Sequence, residues 1–242
     1  NQIKALQMDE AIVASSKPWH REEFESYADS LPGQWFYVEN QRELEDLLSR
    51  TEPRYIFFLH WNWRVRTSIW STYECVCFHM TDVPYGRGGS PLQNLILAGH
   101  RETRLSALRM VEEMDAGPVY GKRPLSLAGS ASEIFRRAGQ LSFNMIAWMV
   151  EAEPDPEPQT GRPTVFHRRT PEQSELPGNV SLEQLYDYIR MLDAPTYPKA
   201  FVRYGDLVLE FTDAHQESDK VVSAKVEIRR ASISGDGNDD NH

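Results

Sequence analysis

Two hydrophobic periods run along this chain, one of short apolar runs and one of apolar stripes every three to four residues. Glu10-Ala11-Ile12-Val13-Ala14-Ser15-Ser16 is a short apolar run closed by hydroxyls and predicts a first strand. Phe24 and Tyr27-Ala28 then fall on one side of a predicted helix, with Glu22, Glu23 and Asp29 on the other, and Leu31-Pro32-Gly33 stops it. Gln34 to Val38 predicts a second strand, and Gln41 to Leu48 an amphipathic helix with Leu44, Leu47 and Leu48 inward. Arg54 to Leu59 is apolar at nearly every position, the pattern of a strand buried on both faces. Cys75 to Met80 predicts a fourth strand, and Ser90-Pro91 an N-cap and first position of a helix ending at Gly99. Thr103 to Met110 and Val119 to Leu127 read as strands either side of a turn. Ser130-Ala131-Ser132-Glu133 is a capping box opening a helix with Ile134, Phe135, Ala138, Leu141 and Met145 at helical spacing, which reads as core.

Strand and helix alternating in this way predict an α/β fold, a Rossmann-like parallel sheet with right-handed crossovers. Such sheets bind ligands beyond the carboxyl ends of their strands. One rim would then carry Ser16 and Lys17, His60 to Val65, and His79. Residues 1–152 form the predicted main domain. Residues 153–180, rich in proline at Pro154, Pro156, Pro158 and Pro163, form a predicted linker. Residues 181–232 open on a second capping box, Ser181 to Gln184, and form a small helix-plus-β module. Residues 233–242 are polar and acidic, a predicted mobile tail.

Composition adds constraints. The chain has 242 residues, enough for a real core, and its 40% hydrophobic and 26% charged residues suit a globular protein. A net charge of −10 argues against broad nucleic-acid binding, which draws on basic surface. No apolar run suggests a membrane span or a signal peptide, although the opening Asn1-Gln2-Ile3 suggests a trimmed start. Cys75 and Cys77 lie two apart on one strand, where a disulfide would be badly strained. They read as free thiols in a reducing, cytoplasmic compartment.

Candidate chemistry gathers between Cys75 and Leu92. On a strand Cys75, Cys77 and His79 share one face, and Val76, Phe78 and Met80 the other. The loop that follows bends at Pro84, Gly86, Gly88 and Gly89 around one cation, Arg87. Its glycine spacing is neither a P-loop nor a dinucleotide fingerprint. Ser16 and Lys17, at a strand-to-helix turn, suit either a phosphate site or a plain cap.

Cys77-Phe78-His79-Met80-Thr81-Asp82-Val83-Pro84-Tyr85-Gly86-Arg87-Gly88-Gly89-Ser90-Pro91 resembles the signature loop of the 10-formyltetrahydrofolate-dependent formyltransferases, Asn-x-His-x-Ser-Leu-Leu-Pro-x-x-Arg-Gly-x-x-Pro. His79, Thr81 (for Ser), Pro84, Arg87, Gly88 and Pro91 fall in register. Met114-Asp115-Ala116-Gly117-Pro118-Val119 is similar to the second family motif, and residues 189–201 to the start of the family's C-terminal β domain.

The resemblance implies an enzyme that moves a formyl group from 10-formyltetrahydrofolate, its co-substrate, to an amine without a metal. It makes His79 the acid/base and oxyanion partner and Asp115 the charge that tunes it. It places the folate pteridine against Trp63, Arg64 and Val65, and makes Val111, Glu112, Glu113 and Met114 further cofactor-binding residues. Cys77 departs from the family, whose asparagine donates to the formyl oxygen. Losing such a donor costs on the order of 2.7–4 kcal/mol, and a thiol donates weakly. Asn62 on the same rim is a candidate substitute, and thiolate chemistry at Cys77 a further option.

For the acceptor, the acidic charge and short C-terminal module argue against methionyl-tRNA. The expected acceptor is a nucleotide-linked amino sugar of the 4-amino-4,6-dideoxy type, as in pseudaminic-acid-type pathways. Ser16 and Lys17 would hold its phosphates, and Thr81, Asp82 and Arg87 would meet the sugar or orient the loop. The expected partners are that small molecule, no nucleic acid, no membrane, and a second copy if the enzyme is a homodimer. A formyltetrahydrofolate hydrolase, a methionyl-tRNA formyltransferase and a non-catalytic folate- or sugar-binding module stay as alternatives.

Overall fold

The structure, a computed structural model, describes residues 10–231. The predicted tail at 233–242 lies outside the described residues. The chain divides into two compact units, residues 10–128 with 133–168, and residues 129–132 with 169–231.

In the first unit, β1 (Glu10–Ser15) leads to α1 (Trp19–Ala28), β2 (Gln34–Val38), α2 (Gln41–Leu48), β3 (Tyr55–Leu59), α3 (Thr67–Trp70) and β4 (Glu74–His79). Then come β5 (Arg87–Gly88), α4 (Pro91–Leu97), β6 (Glu102–Arg109), β7 (Val119–Ser126), α5 (Ala131–Ala152) and β8 (Val165–Phe166). Six strands form one sheet in the order β2-β1-β3-β4-β6-β7. β2, β1, β3 and β4 run parallel, while β6 is antiparallel to both β4 and β7. The sheet is therefore mixed, and its parallel half is the Rossmann-like part that carries the rim.

Strand alternation builds the core. Ile12 and Ala14 of β1, Ile56 and Phe58 of β3 and Cys75 of β4 pack on one sheet face with Leu44 and Leu47 of α2 and Ile69 of α3. β3 is buried at all five positions, as a central strand covered on both faces must be. Asn40 caps α2 by accepting from the Glu43 amide at 3.0 Å. Ser90 precedes α4 in a left-handed conformation, and Pro91 takes the first helical position, where a missing N–H costs nothing. The hydroxyl of Ser90 makes no capping bond to α4.

Residues 153–168 group with the first unit. Glu157 bridges to Val119, and β8 pairs in parallel with β5.

The second unit holds α6 (Leu182–Arg190) and an antiparallel sheet in the order β11-β10-β9, from β9 (Ala200–Tyr204), β10 (Leu207–Ser218) and β11 (Val221–Arg230). The capping box forms: the Ser181 hydroxyl accepts from the Gln184 amide at 3.1 Å, and the Gln184 side chain accepts from the Ser181 amide at 2.9 Å. Inside this unit Arg190 donates to buried Asp187 at 2.7 Å and to the Gly129 carbonyl at 2.8 Å.

Candidate active site

His79 closes β4 and is buried, so its ring must find partners nearby. Nε2 lies 2.8 Å from the Gly86 carbonyl, which can only accept, so Nε2 carries a hydrogen. That bond turns Nδ1 toward Asp115, whose Oδ2 stands 3.5 Å away. A bare Nδ1 and an ionised carboxylate would both be acceptors. A hydrogen bond between them therefore needs a proton on one side, so the pair is a place where a proton can be received and passed on.

The loops around this pair are fixed by backbone bonds. Asp115 sits at a φ of 56°, a left-handed conformation that costs an ordinary residue on the order of 1–2 kcal/mol. Its Oδ2 accepts the Gly88 amide at 2.8 Å, and its carbonyl accepts Gln159 Nε2 at 2.7 Å. Gln159 Nε2 also donates to the Gly117 carbonyl at 2.8 Å, while Gln159 Oε1 accepts from Arg87 at 2.9 and 3.1 Å. The signature loop is held against β8: the Gly86 amide donates to the Thr164 hydroxyl at 2.8 Å, and the Gly89 amide to the Phe166 carbonyl at 3.1 Å. Gly88 is at φ +100°, and a Cβ there would run into the Phe166 carbonyl.

Cys77 shares the face of His79, two residues back. Burial, and after it the charge of Asp115, push its thiol well above the ordinary range, so it stays protonated. A protonated thiol is a poor nucleophile, which weighs against thiolate chemistry at this position. Cys75 is pushed up to about 12, again by burial first, and both cysteines are free. Asn62 is exposed on the loop after β3.

Of the residues expected to meet folate, Val65 packs on the core face that Cys77 touches. Trp61 and Met110 pack on that same cluster. Beyond them Trp63 is 41% exposed, edge-on to Trp61 at 5.0 Å, and Met114 is 68% exposed. Val111, Arg64, Glu112 and Glu113 are exposed too. Trp63 and Met114 are thus exposed side chains on two loops of the first unit.

The remaining expected residues are engaged with the protein. The Thr81 hydroxyl is fully buried and donates to the Gly86 carbonyl at 3.2 Å. Arg87 bonds Glu113 at 3.1 Å as well as Gln159, so it orients the loop. Exposed Asp82 pairs with Lys122 at 2.6 Å. The Ser16 hydroxyl donates to the His60 carbonyl at 2.5 Å. Lys17 is buried, and burial followed by the nearby Arg168 charge lowers its pKa. Gln159, Thr164, the Gly86 carbonyl and the Gly88 amide join this arrangement without a motif position that marks them for these contacts. No group of three or more potential metal-ligating side chains occurs among the described residues. No helix among them is long and apolar enough to cross a membrane.

Comparison with known proteins identifies this arrangement. Residues 171–229 match the family described as the C-terminal domain of methionyl-tRNA formyltransferase. A solved methionyl-tRNA formyltransferase from Clostridium thermocellum is 41% identical, with a TM-score of 0.87 over 92% of this chain and 100% of that one. The methionyl-tRNA formyltransferase of Rickettsia africae is 26% identical over 64% of this chain and 55% of its own length. This chain thus spans about half the length of the curated relatives it matches.

A 4-N formyltransferase from Francisella tularensis, with a TM-score of 0.66 over 82% of this chain and 94% of its own, is 13% identical and shares only the fold. These findings overturn the amino-sugar expectation and with it the exclusion of nucleic acid as a partner. The argument from net charge fails because a whole-chain sum says nothing about local cationic surface. The argument from the short C-terminal module fails because the Clostridium protein is covered over its full length by this chain. By that full-length likeness, the chain belongs to the methionyl-tRNA formyltransferase-like family of formyltransferases.

Proposed function

We propose that this chain transfers the formyl group of 10-formyltetrahydrofolate to the amino group of methionyl-tRNA. The observation that carries the reading is the 41% identity to the whole of the Clostridium thermocellum methionyl-tRNA formyltransferase. The His79–Asp115 pair supplies chemistry that fits it.

In this reading the amine nitrogen attacks the formyl carbon, a C–N bond forms, and the carbonyl oxygen becomes an oxyanion. The bond from that carbon to N10 of the folate then breaks, and N10 leaves with a proton. With Nε2 committed to Gly86, Nδ1 of His79 is the nitrogen that faces Asp115 and can exchange a proton. The pair takes a proton from the attacking nitrogen and returns it to N10, a role worth on the order of 10²–10⁴ in rate. Asp115 keeps the ring oriented, held in turn by the Gly88 amide. The folate ring rests against Trp63, Arg64 and Val65 on one side and Val111, Glu112, Glu113 and Met114 on the other.

The test is tetrahydrofolate release, followed by absorbance, with 10-formyltetrahydrofolate and either methionyl-tRNA or uncharged tRNA. Release only with the charged tRNA is expected. Release without any amine would identify a hydrolase, and no release with methionyl-tRNA would overturn the proposal.

A further inference from the structure

A second cluster of titratable groups lies on the same rim. His20 and Glu23 are on α1, and His60 directly follows β3. Glu23 Oε2 is 3.0 Å from His20 Nδ1, and His20 Nε2 is 3.3 Å from His60 Nδ1. The two rings lie nearly parallel, 19° apart. Side-chain exposure is 2% for His20 and 12% for Glu23, and Glu23 Oε1 is buried without a hydrogen-bond partner.

The chain makes room for this row. Gly139 lies inside α5, where glycine is unfavourable, and a Cβ there would overlap Glu23 Oε2 and come within 2.8 Å of His20. His60 is held at a φ of 47°, its carbonyl accepting from Ser16, and its ring stands edge-on to Phe135 at 4.6 Å. Sites that hold a non-glycine residue in this conformation are enriched in function.

With Glu23 as an acceptor carboxylate, the hydrogen bonds admit two proton arrangements. In the first, His20 Nδ1–H donates to ionised Glu23, His60 Nδ1–H donates to His20 Nε2, and His60 Nε2 is a bare acceptor. In the second, one proton has entered at His60 Nε2, and the Nδ1 proton of His60 has moved to His20. His20 is then an imidazolium between the Glu23 carboxylate and a His60 that is neutral again. A proton delivered at the rim is thus stored beside a buried carboxylate.

The proposed reaction has a proton for which the His79–Asp115 pair has no place. An ammonium acceptor sheds two protons on becoming an amide. One goes to N10 as the folate leaves, and the other is surplus. We propose that His60, His20 and Glu23 form the relay that takes this surplus proton from the acceptor ammonium, with His60 as entry and His20 and Glu23 as positioning residues. The inference rests on the formyl-transfer reading above.

The charges facing His60 fit that role. Burial, then His20, Lys17 and His79 in that order, lower its pKa well below the ordinary histidine range, so the entry ring stays neutral. His20 faces Glu23 on α1; Lys17 lies just beyond β1, and His79 at the end of β4. From α5 the ring contacts uncharged Phe135.

The experiment has two arms on the full chain. The first is the pH profile of kcat/KM for wild type, Glu23→Gln and His60→Gln, with circular dichroism to check folding. Free α-amino groups titrate at about 7.7–8.0. The relay predicts a loss on the order of 10²-fold for both variants below that range, closing toward wild type above it, where the amine is already neutral. A parallel loss at every pH, or none, would overturn it, because a purely structural brace would not track acceptor ionisation. The second arm is ¹⁵N NMR of the histidine tautomers in free wild-type protein at pH 8. A bare Nε2 on His60 with Nδ1–H on both rings is expected, and a hydrogen on His60 Nε2 would overturn the relay. Absence of turnover by wild type would count against the formyl-transfer reading, and the tautomers would still decide the relay.

Discussion

At Cys77 the chain carries a thiol where the family motif has an asparagine amide. The thiol stays protonated, raised by burial and then by Asp115, so it can only be a weak donor. Cys77→Asn is expected to raise kcat, by up to on the order of 10²-fold if the amide reaches the formyl oxygen. Steady-state kinetics with saturating folate checks this, and an unchanged or lower kcat in a folded variant would mean the thiol already suits the site. With both cysteines raised, no thiolate absorbance is expected at pH 9, above the ordinary thiol range. The motifs name His79 and Asp115, and the structure brings the two to 3.5 Å. A strand ending in His79 and a turn holding Asp115 stand out because motif order ties them together. The hydrogen on His79 Nε2 was not legible, because it depends on a carbonyl seven residues away, placed by loop conformation.

Among the elements, the short pairing of β5 with β8 holds the site together. Gln159 ties the carbonyls of Asp115 and Gly117 to Arg87 through one side chain. Gln159→Ala is expected to cost about 1–3 kcal/mol in unfolding free energy by leaving partly buried polar groups unmatched, and to lower kcat more than it raises KM. Denaturant melts and kinetics together check it, and an unaltered kcat would separate the brace from the chemistry. Gly88→Ala should be harsher, since φ is +100° and the Phe166 carbonyl oxygen lies within clashing distance of where a Cβ would sit. Strands, helices and the core face were readable from periodicity, because apolar spacing reports burial directly. The seam between β5 and β8 was not, because two-residue strands carry no period and a polar Gln159 among prolines resembles any surface loop. The antiparallel setting of β6 was equally hidden, since a buried strand reads the same in either direction.

For the molecule as a whole, the fold class was legible from strand and helix order, and the acceptor was not. Net charge and module length are global quantities, while acceptor choice depends on local surface. If the acceptor is methionyl-tRNA, kcat/KM should fall steeply as salt rises from about 50 to 200 mM, since phosphate contacts release counterions. A small methionine ester should show almost no such fall. Single-turnover formylation of methionyl-tRNA, with the product identified by mass spectrometry, compares wild type and Asp115→Asn side by side. N-formylmethionyl-tRNA is expected from wild type, and a rate lower by on the order of 10²-fold or more from the variant. Formylation by Asp115→Asn at the wild-type rate, or no formylated product from a wild-type protein that binds both substrates, would contradict formyl transfer by the His79–Asp115 pair.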